Sequence, residues 1–378
     1  MLTVGVDCTP LVGRRTGIGN TVHELLGALV AADDGTVALT GYGLTWRGRT
    51  KLPPLLPPGV RLAPRPIPAS PVLALWGRVA WPPIEWWTGR LQVVHGTNAV
   101  VPPSRAARLV TVHDVSWITF PELVGAASRR YPRLVRAAVR QGAVVHTPSA
   151  YVAGEITDLF GVPEERVRVI PWGVDAEGLA RRAESGVGRG QPDARRPYLL
   201  AVGTSEPRKD LPGLVAAFGA VADQVADVEL VLAGAPGWGE DALQVAIGRL
   251  PPRVRARVRR EGWVGDPAPL IAGAAALAYP SLYEGFGLPP LEAMTLGVPV
   301  VTTAAGAIPE VVADAALLVP PRDVDALADG LLAVLTDRAR RDRLVAAGRA
   351  RAQSYRWSDT ASAFLRLYRE LDSSQRIG

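Results

Sequence analysis

The segment Pro280–Met294, with the sequence PSLYEGFGLPPLEAM, contains the pattern that decides the fold of this 378-residue chain. It follows the apolar run Ala275–Tyr279, which predicts a buried β-strand. Gly285 and Gly287 allow the backbone to approach a ligand closely, and the two prolines at 289 and 290 suit the first turn of a helix. The segment therefore predicts a glycine loop that leads from a strand into a helix N-terminus, where free N–H groups favour phosphate.

Two glutamates flank this loop. We expect Glu284 on the loop and Glu292 in the first turn of the helix, eight positions later. At that spacing they would contact opposite ends of one bound ligand, which suits hydrogen bonding to hydroxyl groups better than acid–base catalysis across one bond. Taken alone, Glu292 is explained as well by an acid that complements the helix dipole.

Apolar β-rich runs alternate with helical patterns along the whole chain, which predicts an α/β fold with parallel sheets and crossover helices. The predicted strands are Thr3–Asp7, Val37–Tyr42, Gln92–His95, Leu109–His113, Ala143–Thr147, Arg166–Ile170, Tyr198–Gly203, Glu229–Gly234, one near Trp263, Ala275–Tyr279, Pro299–Thr303 and Leu317–Pro320. We predict an irregular, mobile loop over Leu52–Pro71.

The chain is long enough for two domains. Residues 177–197 have no apolar period and predict a surface connection near the boundary. We expect an N-terminal Rossmann-like domain over 1–175, a C-terminal one over 176–357, and a closing helix over 358–378 that packs back on the first domain. Two such α/β halves would face each other across a cleft at the carboxyl ends of both sheets.

Composition excludes several classes of protein. Hydrophobic residues make up 48% and charged residues 21% of the chain, as in globular proteins. No apolar run reaches the ~18 residues of a membrane helix. The net charge of +6 comes from arginine, since Lys51 and Lys209 are the two lysines, and no motif for nucleic-acid binding accompanies it. A single cysteine, Cys8, and an N-terminus without signal-peptide features predict a cytoplasmic protein.

The Glu284–Glu292 pair resembles the E-x7-E motif of the GT-B glycosyltransferases of group 1, or family 4. The resemblance extends to Val202–Leu211, similar to the donor-diphosphate loop, and to Ile308–Val312, after the next strand. In the first half, Thr16–Asn20 resembles the glycine loop and Val112–Asp114 the histidine motif, and Pro171–Asp175 is similar to the turn before the hinge.

The resemblance implies a retaining transfer of a hexose from a nucleotide-diphosphate sugar, without a cofactor. His113, Glu284 and Lys209 would be the catalytic residues. The implied donor-binding residues are Gly17, Gly19, Thr204, Arg208, Lys209, Glu284, Gly285, Phe286, Gly287, Leu288 and Glu292. Lys209 would pair with the diphosphate, Glu284 with the sugar and Glu292 with the ribose.

Two further features bear on these assignments. Thr204 occupies a place where many family members carry an arginine, so Lys209, Arg208 or another residue must meet the diphosphate charge. Asp323 and Asp325 imitate the metal-binding D-x-D motif of another glycosyltransferase fold. Because they precede the apolar helix Ala326–Leu335, we interpret them as helix-capping residues and predict no metal.

The sequences of the loops Val202–Leu211 and Pro280–Met294 are similar to those of bacterial polysaccharide mannosyltransferases, which favours GDP-mannose as donor. The acceptor can be a glycan, a lipid-linked molecule or a small molecule. Arg129, Arg133, Arg136 and Arg140 follow a one-face helical spacing, and tryptophans 76, 81, 86 and 87 lie nearby. This pattern is typical of either an ordinary solvated face or a peripheral contact with the inner face of a membrane.

Two alternatives remain at this point. A nucleotide-sugar 2-epimerase with the same fold would convert its donor without an acceptor. A non-catalytic two-lobed sugar-binding protein would release no nucleoside diphosphate.

Overall fold

The computed structural model describes residues 1–13, 17–185 and 196–377. In those residues the strands are β1 (Leu2–Asp7), β2 (Val37–Tyr42), β3 (Arg61–Leu62), β4 (Val93–Gly96), β5 (Ala107–Thr111), β6 (Val144–Thr147), β7 (Val167–Val169), β8 (Tyr198–Val202), β9 (Glu229–Ala233), β10 (Val258–Gly262), β11 (Ala276–Tyr279), β12 (Val300–Thr303) and β13 (Leu317–Val319).

The α-helices of the same residues are α1 (Gly17–Ala32), α2 (Ala69–Trp76), α3 (Glu85–Thr88), α4 (Ser116–Thr119), α5 (Tyr131–Arg140), α6 (Ala150–Phe160), α7 (Ala176–Ser185), α8 (Leu211–Gln224), α9 (Glu240–Arg249), α10 (Pro252–Arg255), α11 (Ala268–Ala272), α12 (Leu288–Thr295), α13 (Ile308–Val312), α14 (Val324–Thr336), α15 (Arg338–Ala352) and α16 (Trp357–Ile377).

The chain packs as two compact units. The first contains Met1–Thr119, Ala127–Gly173 and Arg356–Gly378, and the second contains Phe120–Ala126 and Val174–Tyr355. The expected division lay at 175 and 357, without an exchange of segments other than the closing helix. The short segment Phe120–Ala126 packs with the second unit, where the ring of Phe120 lies 5.4 Å from that of Tyr283.

The sheet of the first unit has parallel strands in the order β3-β2-β1-β4-β5-β6-β7. The central strands β1 and β4 are almost fully buried because helices cover both faces of such sheets. Helix α16 packs on α1 and on β1, β4 and β5. It buries Phe364 and Tyr368, and the Tyr368 hydroxyl lies 2.8 Å from Nδ1 of the buried His95.

The sheet of the second unit is also parallel, in the order β10-β9-β8-β11-β12-β13. Relabelled from its first strand, this is the doubly wound order 3-2-1-4-5-6. The strand order reverses between β8 and β11. In such sheets the loops after those two strands diverge and leave a crevice, which is where ligands bind.

The sequence-based prediction of an α/β fold with parallel sheets is confirmed, and one loop prediction was wrong. The segment Leu52–Pro71 is largely irregular, as predicted, although it contains the short strand β3, which pairs with β2, and the buried Leu52 and Ile67. The expected connection over 177–197 begins as helix α7, because Asp175 caps the helix and Leu179 is buried. Residues 186–195 of that connection lie outside the described part of the chain.

Candidate active site

The loop after β8 presents two cations. Residues Pro207–Lys209 form a short 3-10 turn, and Asp210 then caps α8 by accepting a hydrogen bond from the Gly213 amide at 3.2 Å. The tight turn places Arg208 and Lys209 at the carboxyl end of β8, at the crevice between β8 and β11. Both side chains are largely buried, with 18% and 12% of their surfaces exposed.

The loop after β11 presents Glu284. The Glu284 carbonyl accepts a hydrogen bond from the Ala307 amide at 2.9 Å, and Gly306 lies directly beneath it with a φ of +57°. A Cβ atom on Gly306 would lie 2.3 Å from the Glu284 carbonyl oxygen. The Leu282 amide also donates to the Arg208 carbonyl at 2.7 Å, so the two loops are tied together through their backbones.

The side chains of these loops form one ionic cluster. Lys209 Nζ lies 2.5 Å and Arg208 Nη1 lies 3.0 Å from the same Oε1 atom of Glu284. Lys209 also donates to the Tyr279 hydroxyl at 2.7 Å, and Arg208 Nε lies 2.9 Å from Glu206. Two cations and two carboxylates thus meet at the switch point of the second sheet, in a largely buried position.

The cluster holds Glu284 ionised. Burial alone would raise the pKa of Glu284, but the charges of Lys209 and Arg208 outweigh it and lower that pKa from 4.5 to about 2. Burial and the charge of Glu284 raise the pKa of Tyr279 well above its ordinary value, so its hydroxyl stays protonated. Glu284 is therefore a hydrogen-bond acceptor at neutral pH and cannot supply a proton.

Helix α12 begins at Leu288, with Gly287 as its cap in a left-handed conformation at a φ of +119°. Prolines 289 and 290 occupy the first turn as predicted. Because they lack N–H groups, Leu288 supplies the first amide of the helix, beside the cluster loop that also contains Gly285 and the buried Phe286.

One expectation about this helix was wrong. Glu292 lies in the second turn, since it is the fifth residue of α12, and the first turn contains no acidic residue. Gly287 starts the helix earlier than the proline pair suggested. A role in complementing the helix dipole loses its basis, because the effect falls off within the first turn.

His113 lies in the first unit, just after the carboxyl end of β5. Its Nε2 lies 2.8 Å from the Thr97 carbonyl, and its ring stands 5.5 Å from the ring of Trp172. Burial lowers the pKa of His113, so the ring is neutral at pH 7. A carbonyl can only accept, so Nε2 carries the proton and Nδ1 is the acceptor atom of the ring.

Two parts of the first-unit motifs differ from expectation. Gly17 and Gly19 belong to the first turn of α1 rather than to a loop, and Thr16 lies outside the described residues. A Cβ atom on Gly17 would meet nothing within 4 Å. Asp114 accepts hydrogen bonds from the amide and the hydroxyl of Ser116 at 3.0 and 2.6 Å. It therefore stabilises the start of α4.

The Asp323 and Asp325 pair is a helix start, as predicted. Asp323 accepts a hydrogen bond from the Ala326 amide at 2.9 Å and caps α14, and Asp325 lies in the first turn.

Thr204, which occupies the place of the arginine found in many family members, lies on the loop after β8. Its carbonyl accepts a hydrogen bond from the Glu206 amide at 2.7 Å. Arg208, four residues later, brings its guanidinium to Glu284.

Comparisons with known proteins identify the family of the chain. Residues 15–177 match the family described as Glycosyltransferase Family 4, and residues 196–337 match Glycosyl transferases group 1. O-antigen chain mannosyltransferase B of Escherichia coli is 32% identical over 74% of each chain. The chain belongs to the group 1, family 4 glycosyltransferases.

Two further likenesses are informative. Phosphatidyl-myo-inositol mannosyltransferase of Mycobacterium tuberculosis is 35% identical, and the match covers 54% of this chain and 54% of that one. The structure of sucrose-phosphate synthase from Thermosynechococcus elongatus superposes with a TM-score of 0.75 at 22% identity, over 99% of this chain and 100% of that one. The fold of this glycosyltransferase is GT-B.

The arginine stripe of the glycosyltransferase is only partly helical. Arg129 precedes α5 in a 3-10 turn, because α5 begins at Tyr131. Arg133, Arg136 and Arg140 are exposed, but Arg133 donates to the Gly77 carbonyl at 3.1 Å and Arg136 lies over the Phe160 ring. Within the described residues, no helix is both long enough and apolar enough to cross a bilayer.

Sequence reasoning missed three residues of the site. Tyr279 ends β11 and holds Lys209, Glu206 pairs with Arg208, and Gly306 supports the Glu284 backbone. Tyr279 ends the predicted strand before the glycine loop, and Glu206 lies within the segment Val202–Leu211, so these positions are the signal that could have found them. Gly306 is 22 residues from Glu284 along the chain, and no local pattern connects the two.

Proposed function

We propose that this glycosyltransferase transfers mannose from GDP-mannose to a glycan acceptor, with retention of the anomeric configuration and without a metal or other cofactor. The ionic cluster of Glu284, Lys209 and Arg208 at the switch point of the second sheet carries the proposal. The mannosyltransferase names of two relatives support the sugar. The O-antigen name of the E. coli relative supports a glycan, free or lipid-linked, as acceptor.

In this proposal Lys209 and Arg208 hold the donor diphosphate together with the N-terminus of α12. Breaking the anomeric C–O bond increases the negative charge on the leaving phosphate. Fixed cations and amides aimed there stabilise the transition state more than the ground state. The acceptor hydroxyl attacks from the face of the departing phosphate, and its proton passes to the leaving phosphate oxygen.

The carboxylate of Glu284 orients the sugar. Both of its ion pairs meet at Oε1, so we assign the other oxygen, Oε2, to a sugar hydroxyl. A group with a pKa of about 2 serves as an acceptor through the whole neutral range. We assign Glu292 to the ribose, and Nδ1 of the neutral His113 to a donor or acceptor hydroxyl.

The proposal is tested by supplying GDP-, UDP- and dTDP-sugars with a synthetic α-mannoside acceptor and measuring nucleoside diphosphate release. We expect acceptor-dependent release from GDP-mannose, and an axial glycosidic bond by NMR. Lys209→Ala should abolish release, and Lys51→Ala, which changes the other, exposed lysine, should not. Isomerisation of GDP-mannose without acceptor would favour an epimerase, and binding without turnover would favour a sugar-binding protein.

Metal independence is tested in the same assay. Release should be unchanged by EDTA. Loss of activity in EDTA with recovery in Mg²⁺ or Mn²⁺ would contradict the proposal.

We also propose that the exposed arginines of α5 contact an anionic membrane surface, to which each guanidinium contributes ~1 kcal/mol. The proposal is supported by their shared exposed face opposite the buried Leu134 and Ala138. The test is sedimentation with anionic vesicles. The Arg129/Arg133/Arg136/Arg140 quadruple alanine variant should lose binding, and a variant of Arg338, Arg340 and Arg343 on α15 should retain it. No sedimentation of the wild type would refute the contact.

A further inference from the structure

A groove on the first unit has tryptophan walls. It has a volume of about 310 Å³ and is bounded by Trp81, Trp86 and Pro83 on one side and by Ser104, Arg105 and Arg108 on the other. Trp81 is 54% and Trp86 is 50% exposed. The two rings meet edge to face at 83° with centroids 5.1 Å apart. The volume is at the lower end of the ~300–1,000 Å³ usual for ligand pockets.

The walls are held in place from behind. The buried Trp76 donates from its indole nitrogen to the Pro82 carbonyl at 2.9 Å, and the Ile84 amide donates to the Pro103 carbonyl at 2.9 Å. These two bonds fix the Trp81–Trp86 segment against the segment that carries Ser104 and Arg105. The exposed rings therefore sit on a pre-organised support, which reduces the entropy cost of binding a ligand.

The opposite wall is polar. Glu85 Oε1 accepts hydrogen bonds from the Ser104 hydroxyl at 2.6 Å and from the Arg105 amide at 2.8 Å. The other oxygen of Glu85, Oε2, is buried and has no hydrogen-bond partner within the part of the chain that the structure describes. Arg108 donates a hydrogen bond to Gln141 at 2.6 Å, which restricts the orientation of its planar guanidinium group. Glu85 lies behind Ser104 and Arg105 and does not line the groove, which thus offers two indole rings together with the Ser104 hydroxyl and two guanidinium groups.

This groove is separate from the candidate active site. Ser104 and Arg105 precede the amino end of β5, and α3 precedes the amino end of β4. His113 follows the carboxyl end of β5. It and the groove therefore lie at opposite ends of the strands of one sheet. β5 alone, with five residues, spans ~16 Å between those edges.

We propose that this groove is a second saccharide site, which binds sugar units of the glycan acceptor at a distance from the reacting end. Pyranose rings present C–H hydrogens on one face, which suit the negative face of an indole ring, and hydroxyls at their edges, which suit Ser104, Arg105 and Arg108. A membrane surface fits less well, because half of the lining is polar and the site is concave. The glycan as occupant rests on the proposed function.

Binding of one chain at two places has a kinetic consequence. Once the groove holds a distant sugar unit, the reacting end of the same chain is confined near the active site at a high effective concentration. The groove would therefore lower KM for long acceptors and leave KM for short acceptors unchanged.

The direct test is titration of the full chain with α-mannotriose and with maltotriose, followed by calorimetry. We expect saturable binding of at least one trisaccharide, weakened tenfold or more in Trp81→Ala and in Arg105→Glu. Trp263→Ala, which removes a tryptophan of the second unit that is also 50% exposed, should bind like the wild type. GDP binding and vesicle sedimentation should be equal in all four proteins.

The other outcomes decide against the site or against the proposed function. Absence of binding to both sugars, or binding that Trp81→Ala and Arg105→Glu leave intact, would overturn the proposal. Loss of vesicle sedimentation in Trp81→Ala with unchanged trisaccharide binding would assign the tryptophans to a lipid surface instead. If mannosyl transfer fails but trisaccharide binding depends on Trp81, the proposed function is wrong while the saccharide site stands.

Discussion

Among single residues, Glu284 carries a charge that is almost fully enclosed, with 8% of its surface exposed. Replacing it by glutamine keeps the volume but leaves Lys209 and Arg208 without their shared carboxylate oxygen. Breaking a buried pair by removing one partner costs roughly 3–5 kcal/mol. We expect Glu284→Gln to lower the free energy of unfolding by that order, measured by urea denaturation.

A surface pair provides the control. Asp223 and Arg253 form an ion pair at 3.1 Å with more than half of each side chain exposed. Asp223→Asn should cost no more than ~1 kcal/mol, since water and salt screen such pairs. Equal losses in the two variants would mean that the Glu284 cluster contributes no more than a surface pair.

The same residue makes stability depend on pH. The pKa of Glu284 falls from 4.5 to about 2 on folding, so its contribution is complete above the unfolded value and is lost as the pH falls from 4.5 toward 2. The stability difference between wild type and Glu284→Gln should be constant from pH 8 to 5 and should shrink below pH 4.5. Urea titrations at several pH values measure it. A difference that grows on acidification would contradict the assigned direction.

At the level of loops and helices, Gly306 is the support of the site. A Cβ atom there would lie 2.3 Å from the Glu284 carbonyl oxygen, and the φ of +57° disfavours any other residue. Because the obstacle is backbone, the Glu284 loop itself must move. We expect Gly306→Ala to lower the free energy of unfolding. We also expect it to reduce the rate of nucleoside diphosphate release by a factor of ten or more.

Gly154 in α6 is the matched control for that glycine. A Cβ atom on Gly154 would meet nothing within 4 Å, so alanine should stabilise the helix by up to ~1 kcal/mol. Full activity of Gly306→Ala would show that the Glu284 loop tolerates the displacement.

Helix α14 allows the two aspartates of the D-x-D pattern to be separated. Asp323→Ala removes the side chain that accepts from the Ala326 amide and should cost ~1 kcal/mol. Asp325→Ala should lower the stability by at most a few tenths of a kcal/mol, because Asp325 is an exposed acid in the first turn. Thermal unfolding measures both. Loss of activity in both variants, reversed by added Mn²⁺, would instead identify a metal site.

For the molecule as a whole, α16 completes the first unit although it follows the whole second unit along the chain. Truncation after Tyr355 would remove the buried Phe364 and Tyr368 and leave His95 without its 2.8 Å partner. We expect limited proteolysis of that protein to degrade residues 1–173 and to spare residues 196–355. Truncation after Asp372, which keeps both aromatic residues, should protect both units, and equal digestion of the two truncated proteins would contradict this account.

The sequence by itself determined the alternation of strands and helices, the glycine loop before α12 and the cap of α14. These features depend on contacts within about one helical turn or on the period of one strand. The E-x7-E motif pointed to the correct family for the same reason, because it lies on one continuous loop and helix.

Only the tertiary structure decided that Lys209 and Arg208 share one oxygen of Glu284, 75 residues away from Lys209. That meeting follows from the strand order, which places β8 beside β11. Gly306 beneath Glu284, the segment Phe120–Ala126 within the second unit, and the tryptophan groove likewise join residues that are distant along the chain. Crossover connections set such distances, and no local period encodes them.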